Sequence, residues 1–139
     1  TDSGPPGCNA LVNGGSAIDE TVIDAAAPTL GGGTIAPGTY VLSKYELFKP
    51  GGPAGTTGNT LKQTMEITAT TLANVTSNNR GPDRHVSSTY TSPTKTTLYV
   101  VDTCGSSDKY FFGYEAAPTT LKFGAGTSTA YYVLTFDKK

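Results

Sequence analysis

Thr96-Thr97-Leu98-Tyr99-Val100-Val101-Asp102-Thr103-Cys104 and Ala130-Tyr131-Tyr132-Val133-Leu134-Thr135-Phe136-Asp137 decide the fold class. Both alternate with period two, the pattern of a strand with one face buried. In the first, Leu98, Val100 and Asp102 share a face, and Tyr99, Val101 and Thr103 share the other. In the second, Tyr132, Leu134 and Phe136 oppose Tyr131, Val133 and Thr135. Shorter alternating runs over 109–115 and 119–123 lie between them. The links Gly105-Ser106-Ser107-Asp108, Ala116-Ala117-Pro118 and Gly124-Ala125-Gly126-Thr127-Ser128 are short and turn-rich. Neighbouring strands should therefore pair antiparallel.

Working outward, residues 39–48, 60–68, 69–76 and 84–91 read as four more strands. The run over 60–68 alternates most cleanly, with Leu61, Met65 and Ile67 opposite Lys62, Thr64 and Glu66. The next carries Leu72 or Ala73, with Val75, inward. Residues 49–59 hold Pro50, Gly51, Gly52, Pro53 and Gly55, and read as a loop. Asn78-Asn79-Arg80-Gly81-Pro82 marks a turn. The expected fold is all-β: an eight-stranded antiparallel up-and-down barrel, or barrel-like sandwich, over 34–139, with an extended N-terminal arm over 1–33. Eight strands joined in sequence can close on themselves and remove both sheet edges.

The arm is less regular. Residues 1–7 are rich in Gly and Pro and lack periodicity. Ile18, Val22 and Ile23 have helix-like spacing with Ser16 as a possible cap, but Ile18, Glu20 and Val22 would equally share one face of a strand. The β-branched residues favour the strand. Gly31-Gly32-Gly33 lacks the Lys-Ser/Thr of a phosphate loop and reads as a flexible joint.

Composition excludes several function classes. Only 15% of residues are charged and the formal net charge is −1, which gives no basic surface for nucleic acid. No apolar run approaches the roughly 20 residues of a membrane helix. The chain begins at Thr1, which is read as a processed start with an export signal removed. Its two cysteines, Cys8 and Cys104, permit one pairing, closing a span of 104 − 8 = 96 residues; two buried free thiols are the alternative.

No catalytic constellation is legible. His85 is the one histidine; Asp83 is two residues away, and a solvated turn residue is the expected role. One His and two Cys do not make a zinc site. No metal or cofactor is expected. Glu66 and Glu115 read as solvated. Asp102 shares a face with Leu98 and Val100, and so either meets a ligand near a barrel mouth or faces water at the rim. The large rings are five Phe and eight Tyr: Tyr40, Tyr45, Tyr90, Tyr99, Tyr110, Tyr114, Tyr131 and Tyr132. Tyrosine suits a ligand site because it is flat and hydrogen-bonding, although it also suits a barrel wall. The candidate contacts to a small apolar or aromatic ligand are Tyr40, Tyr90, Asp102, Tyr110 and Tyr132. A competing expectation is a structural subunit that forms a homo-oligomer or filament, its arm adding Ile18, Val22 and Ile23 as a strand to a neighbour's sheet.

Four segments carry a resemblance. Gly33-Thr34-Ile35-Ala36-Pro37-Gly38-Thr39-Tyr40-Val41-Leu42 resembles the first barrel strand of small exported bacterial lipoproteins with lipocalin-like domains, of a kind common in myxobacteria. Thr103-Cys104-Gly105 resembles their Thr-Cys-Pro turn, with Gly105 in place of Pro. Thr119-Thr120-Leu121-Lys122-Phe123, with Tyr132-Val133-Leu134-Thr135-Phe136-Asp137-Lys138-Lys139, resembles their closing hairpin. Cys8-Asn9-Ala10-Leu11-Val12-Asn13 is similar to their N-terminal Cys segment. The resemblance implies a lipocalin-like barrel, export to the cell surface or beyond, and a Cys8–Cys104 bridge. It implies no activity.

Overall fold

A computed structural model describes residues 8–139. The reading of residues 1–7 lies outside the described residues. Every regular element among the described residues is a strand: β1 (Ile18–Ile23), β2 (Gly38–Phe48), β3 (Gly55–Ile67), β4 (Thr71–Asn78), β5 (Arg84–Thr94), β6 (Thr97–Cys104), β7 (Lys109–Ala116), β8 (Thr120–Gly126) and β9 (Tyr131–Lys138). No helix among the described residues is long and apolar enough to cross a membrane.

From β2 to β9 each strand pairs antiparallel with the next, as the short turns dictate. β9 then pairs with β2, from Tyr40 opposite Lys138 to Phe48 opposite Tyr131, so the sheet closes into a ring. The inward faces form the core, with Tyr40, Leu42, Met65, Ile67, Leu98, Leu121 and Phe136 almost fully buried.

β1 is the irregular member. β2 and β3 pair from Gly38 opposite Ile67 to Val41 opposite Thr64 and then part. β1 fills the gap above. It runs parallel to β2, with Glu20 opposite Tyr45, and antiparallel to β3, with Ile18 opposite Leu61. The ring thus has eight strands at one end and nine at the other. With strands about 4.8 Å apart, the extra one widens that end by about 1.5 Å in diameter. Ile18, Val22 and Ile23 therefore find their partners within their own sheet, and both edges of β1 are bonded there. β1 also gives the start of β3 something to pair with. For this reason Gly55 and Thr56, expected in a loop, lie in a strand and oppose Val22 and Thr21.

Residues 8–17 and 24–33 wrap the outer wall. The Asn9 side-chain amide donates to the carbonyls of Asn74 and Val86. Asn13, itself buried, donates to Lys62 O and Asp83 Oδ1 and accepts from Thr64 Oγ1. Cys8 is disulfide-bonded to Cys104 at the end of β6. On the other side Leu30 covers the outward faces of Gly113 and Gly124, then Gly32 docks on β7. Gly32 N donates to Tyr114 O at 2.7 Å and Ala116 N to Gly32 O at 2.8 Å. At φ +72°, with a would-be Cβ 1.8 Å from Lys95 O, only glycine fits. The triple glycine is a tight docking point, not a flexible joint. The chain then crosses beneath the narrow end, where Tyr114 donates to Gly33 O and Tyr40 to Ala36 O.

Candidate functional site

The wide end of the ring holds a cavity of about 230 Å³. Its lining alternates in from β3 to β9. Met65, Leu72, Val86, Val100, Phe112, Phe123 and Leu134 form an apolar wall continuous with the core. Gln63, Asn74, Thr76, Ser88, Asp102 and Tyr110 add polar groups, and the exposed Asn78, Arg84 and Asp108 stand at the mouth. Phe112 stacks on Phe123 at 5.6 Å, and Tyr110 tilts against Phe112 at 5.3 Å, so one side is aromatic.

Asp102 is the most constrained polar group there, only 6% exposed on a face otherwise given by Leu98 and Val100. Antiparallel pairing sets Ser88 opposite it, and Ser88 Oγ donates to Oδ1 at 2.6 Å. Tyr110, on the neighbouring strand, donates to Oδ2. Burial, then the hydrogen bond to Asp102, pushes the Tyr110 phenol well above its usual value. The phenol therefore keeps its proton and remains the donor. Two hydroxyl donors, Ser88 and Tyr110, thus hold the Asp102 carboxylate in the wall.

A second buried carboxylate lies across the ring. Glu20 faces inward from β1 and is 3% exposed. Thr57 Oγ1 donates to its Oε1 at 2.5 Å, and Asn59 Nδ2 donates to the same oxygen at 3.2 Å. Burial alone would raise its pKa. The donors Thr57 and Asn59, helped by the hydroxyls of Tyr45 and Tyr132, outweigh burial and set it below the ordinary carboxylate value. Neither phenol reaches Oε2 in hydrogen-bond geometry, and that oxygen is buried without a partner among the described residues. The Tyr45 and Tyr132 rings lie 6.0 Å apart beside it.

Of the five candidate ligand contacts, the structure brings Asp102 and Tyr110 together on the cavity wall. Tyr132 lies beside Glu20 and is 42% exposed. Tyr40 and Tyr90 serve the narrow end, donating to Ala36 O and Thr68 O respectively. His85 differs from its reading as a solvated turn residue. It is a buried member of β5, and its Nε2 lies 2.9 Å from Leu11 O, on the outer wall beneath the wrapped segment. Its neighbour Val86 lines the cavity, and adjacent strand residues face opposite ways. Glu66 is exposed as expected, while Glu115 is half-buried, its Oε1 accepting from Gly31 N. Arg84, Asp108, Phe112 and the pair Gln63–Asn74, bonded at 2.8 Å, are cavity residues that the sequence reading did not single out. The signal for Phe112 was present, since it alternates with Tyr110 and Tyr114.

No group of three or more His, Cys, Asp or Glu side chains placed to hold a metal occurs among the described residues. Comparison with known proteins finds no family model, no curated protein and no solved structure that matches the chain.

Proposed function

We propose that this chain is a non-catalytic, exported binding protein, a lipocalin-like β-barrel of the small bacterial lipoprotein type, which holds a small, largely apolar or aromatic molecule in the wide end of its ring. The observation that carries the reading is the 230 Å³ cavity with its apolar, partly aromatic wall and sparse polar groups. That combination is the usual form of a small-molecule site. An apolar cavity of about 150 Å³ accommodates benzene, so this one suits a substituted single ring. The Cys8–Cys104 bridge is compatible with an oxidising compartment. The test is an NMR titration with a panel of small aromatic compounds. The expected result is perturbation of the amides of Val100, Phe112 and Leu134, abolished by the cavity-filling variant Val100→Phe. Perturbations confined to the outer wall, or none at all, would overturn it.

The second reading, a self-assembling extracellular subunit, now draws on a different feature. Phe111 is 64% exposed on the outer wall, with the Tyr99 ring tilted against it at 4.7 Å. Light scattering separates the two readings: a monomer at high concentration ends the second.

A further inference from the structure

The cavity wall carries a buried carboxylate, Asp102, that no cation among the described residues pairs with. Asp102 takes one hydroxyl on each oxygen, from Ser88 and Tyr110. A carboxylate offers about four lone-pair positions, so two such bonds leave acceptor capacity on the side facing the cavity. The one ion pair between described side chains, Lys122 with Glu115, is on the outer surface. Arg84, the cation nearest the site, stands at the mouth and donates to Gly105 O at 3.0 Å. Asp108 shares that mouth. The lining thus carries two carboxylates and one guanidinium, a net charge of −1. Beside them lie the rings of Tyr110, Phe112 and Phe123, and aromatic rings attract cations.

Resting on the binding reading above, we propose that the ligand is a small primary amine in its protonated form, with the ammonium group on Asp102 and its apolar or aromatic body against Val100, Phe112, Phe123 and Leu134. An ammonium donates three hydrogen bonds and accepts none, which matches an acceptor already fixed by two hydroxyls. A neutral ligand of the same shape would leave Asp102 with only the Ser88 and Tyr110 hydroxyls against it, and Arg84 no nearer than the mouth. An anionic one would meet it directly. The size of the cavity confines the body to about one ring or a short branched chain.

The test is calorimetric titration of the full chain with three probes of one shape: benzylamine, benzyl alcohol and benzoate. Benzylamine is expected to bind at least tenfold more tightly than benzyl alcohol, and benzoate not at all. Asp102→Asn should bring amine and alcohol to within about threefold. Arg84→Gln, a change at an exposed side chain, should tighten the amine severalfold by removing a like charge from the mouth. Equal binding of amine and alcohol in the unmodified protein, or a preference for benzoate, overturns the amine assignment while leaving the cavity reading standing. If none of the three binds but neutral aromatic compounds perturb the cavity amides in the NMR titration, the amine assignment alone fails. Silence in both experiments removes both.

Discussion

Tyr110→Phe removes a single oxygen from the cavity wall and leaves the ring that tilts against Phe112 in place. What it deletes is the donor to Asp102 Oδ2. A hydrogen bond to a charged group contributes about 1.5–3 kcal/mol to stability. Here the cavity opens to solvent at Arg84 and Asp108, and a water can replace part of the lost bond. The expected cost at neutral pH is therefore about 1–2 kcal/mol. Ser88→Ala should cost a similar amount by removing the partner on Oδ1. The double variant should cost more than the sum, because it leaves the buried carboxylate with neither hydroxyl. Urea unfolding of the four proteins, with Tyr99→Phe on the outer wall as a reference, gives the numbers. The pH dependence carries a further sign. The folded phenol is pushed above its unfolded value of about 10. Its contribution is complete below pH 10 and is lost as pH rises from there, because the unfolded chain ionises first. The gap between wild type and Tyr110→Phe should narrow above pH 10. A Tyr110→Phe cost below 0.5 kcal/mol, or strictly additive changes, would refute the reasoning.

Glu20→Gln should lower stability at neutral pH by about 1–2 kcal/mol, since two donors lose a charged acceptor. Because the folded Glu20 pKa lies below its unfolded value, the wild type loses this advantage as pH falls through the folded value. Acid titrations of the two proteins should therefore converge. Reducing the Cys8–Cys104 bridge frees a span of 96 residues and should lower the unfolding free energy by up to about 4.5 kcal/mol, read by unfolding with and without reductant. Asn79 and Arg80 both have positive φ, 50° and 61°, in the tight turn between β4 and β5, so Arg80→Gly should raise stability by about 0.5–1 kcal/mol, seen as a higher Tm. Gly32→Ala should cost more than 2 kcal/mol, because the new methyl group would collide with the Lys95 carbonyl; unchanged Tm would remove that claim.

The strands of the second half were legible because each is bonded to its sequence neighbour and has one dry face. Leu98, Val100 and Asp102 all point inward as their alternation implies. The inward face of β1, with Ile18, Glu20 and Val22, was equally readable once the strand was chosen. The sequence was least informative where both faces of a strand are covered. Val75 is fully buried, yet it lies opposite Leu72, on the outer face beneath the wrapped segment. Thr64 and Ser77 are buried there too. The polar Thr64 still marked its face of β3, but around Val75 two-sided burial erases the polar half of the alternation, so no local rule could assign that face of β4. The cavity was visible only in part. That Asp102 faces inward is a one-strand property, but Ser88 and Tyr110 reach it through the register of three strands, which no single stretch encodes.

The ninth strand also bears on the order in which the molecule can assemble. β1 leads the chain, yet it has no place until β2 and β3 have met near Val41 and Thr64 and parted above. Because it lies parallel to β2, no hairpin can deliver it, and residues 24–37 must run the length of the outer wall before β2 begins. The seam between Tyr40 and Lys138 likewise joins distant parts of the chain. Pairings this remote demand large losses of loop entropy before they return any contact, a pattern that places folding in the millisecond-to-second range. The segment that sets the width of the cavity end thus precedes both its partners in the chain, although its place lies between them.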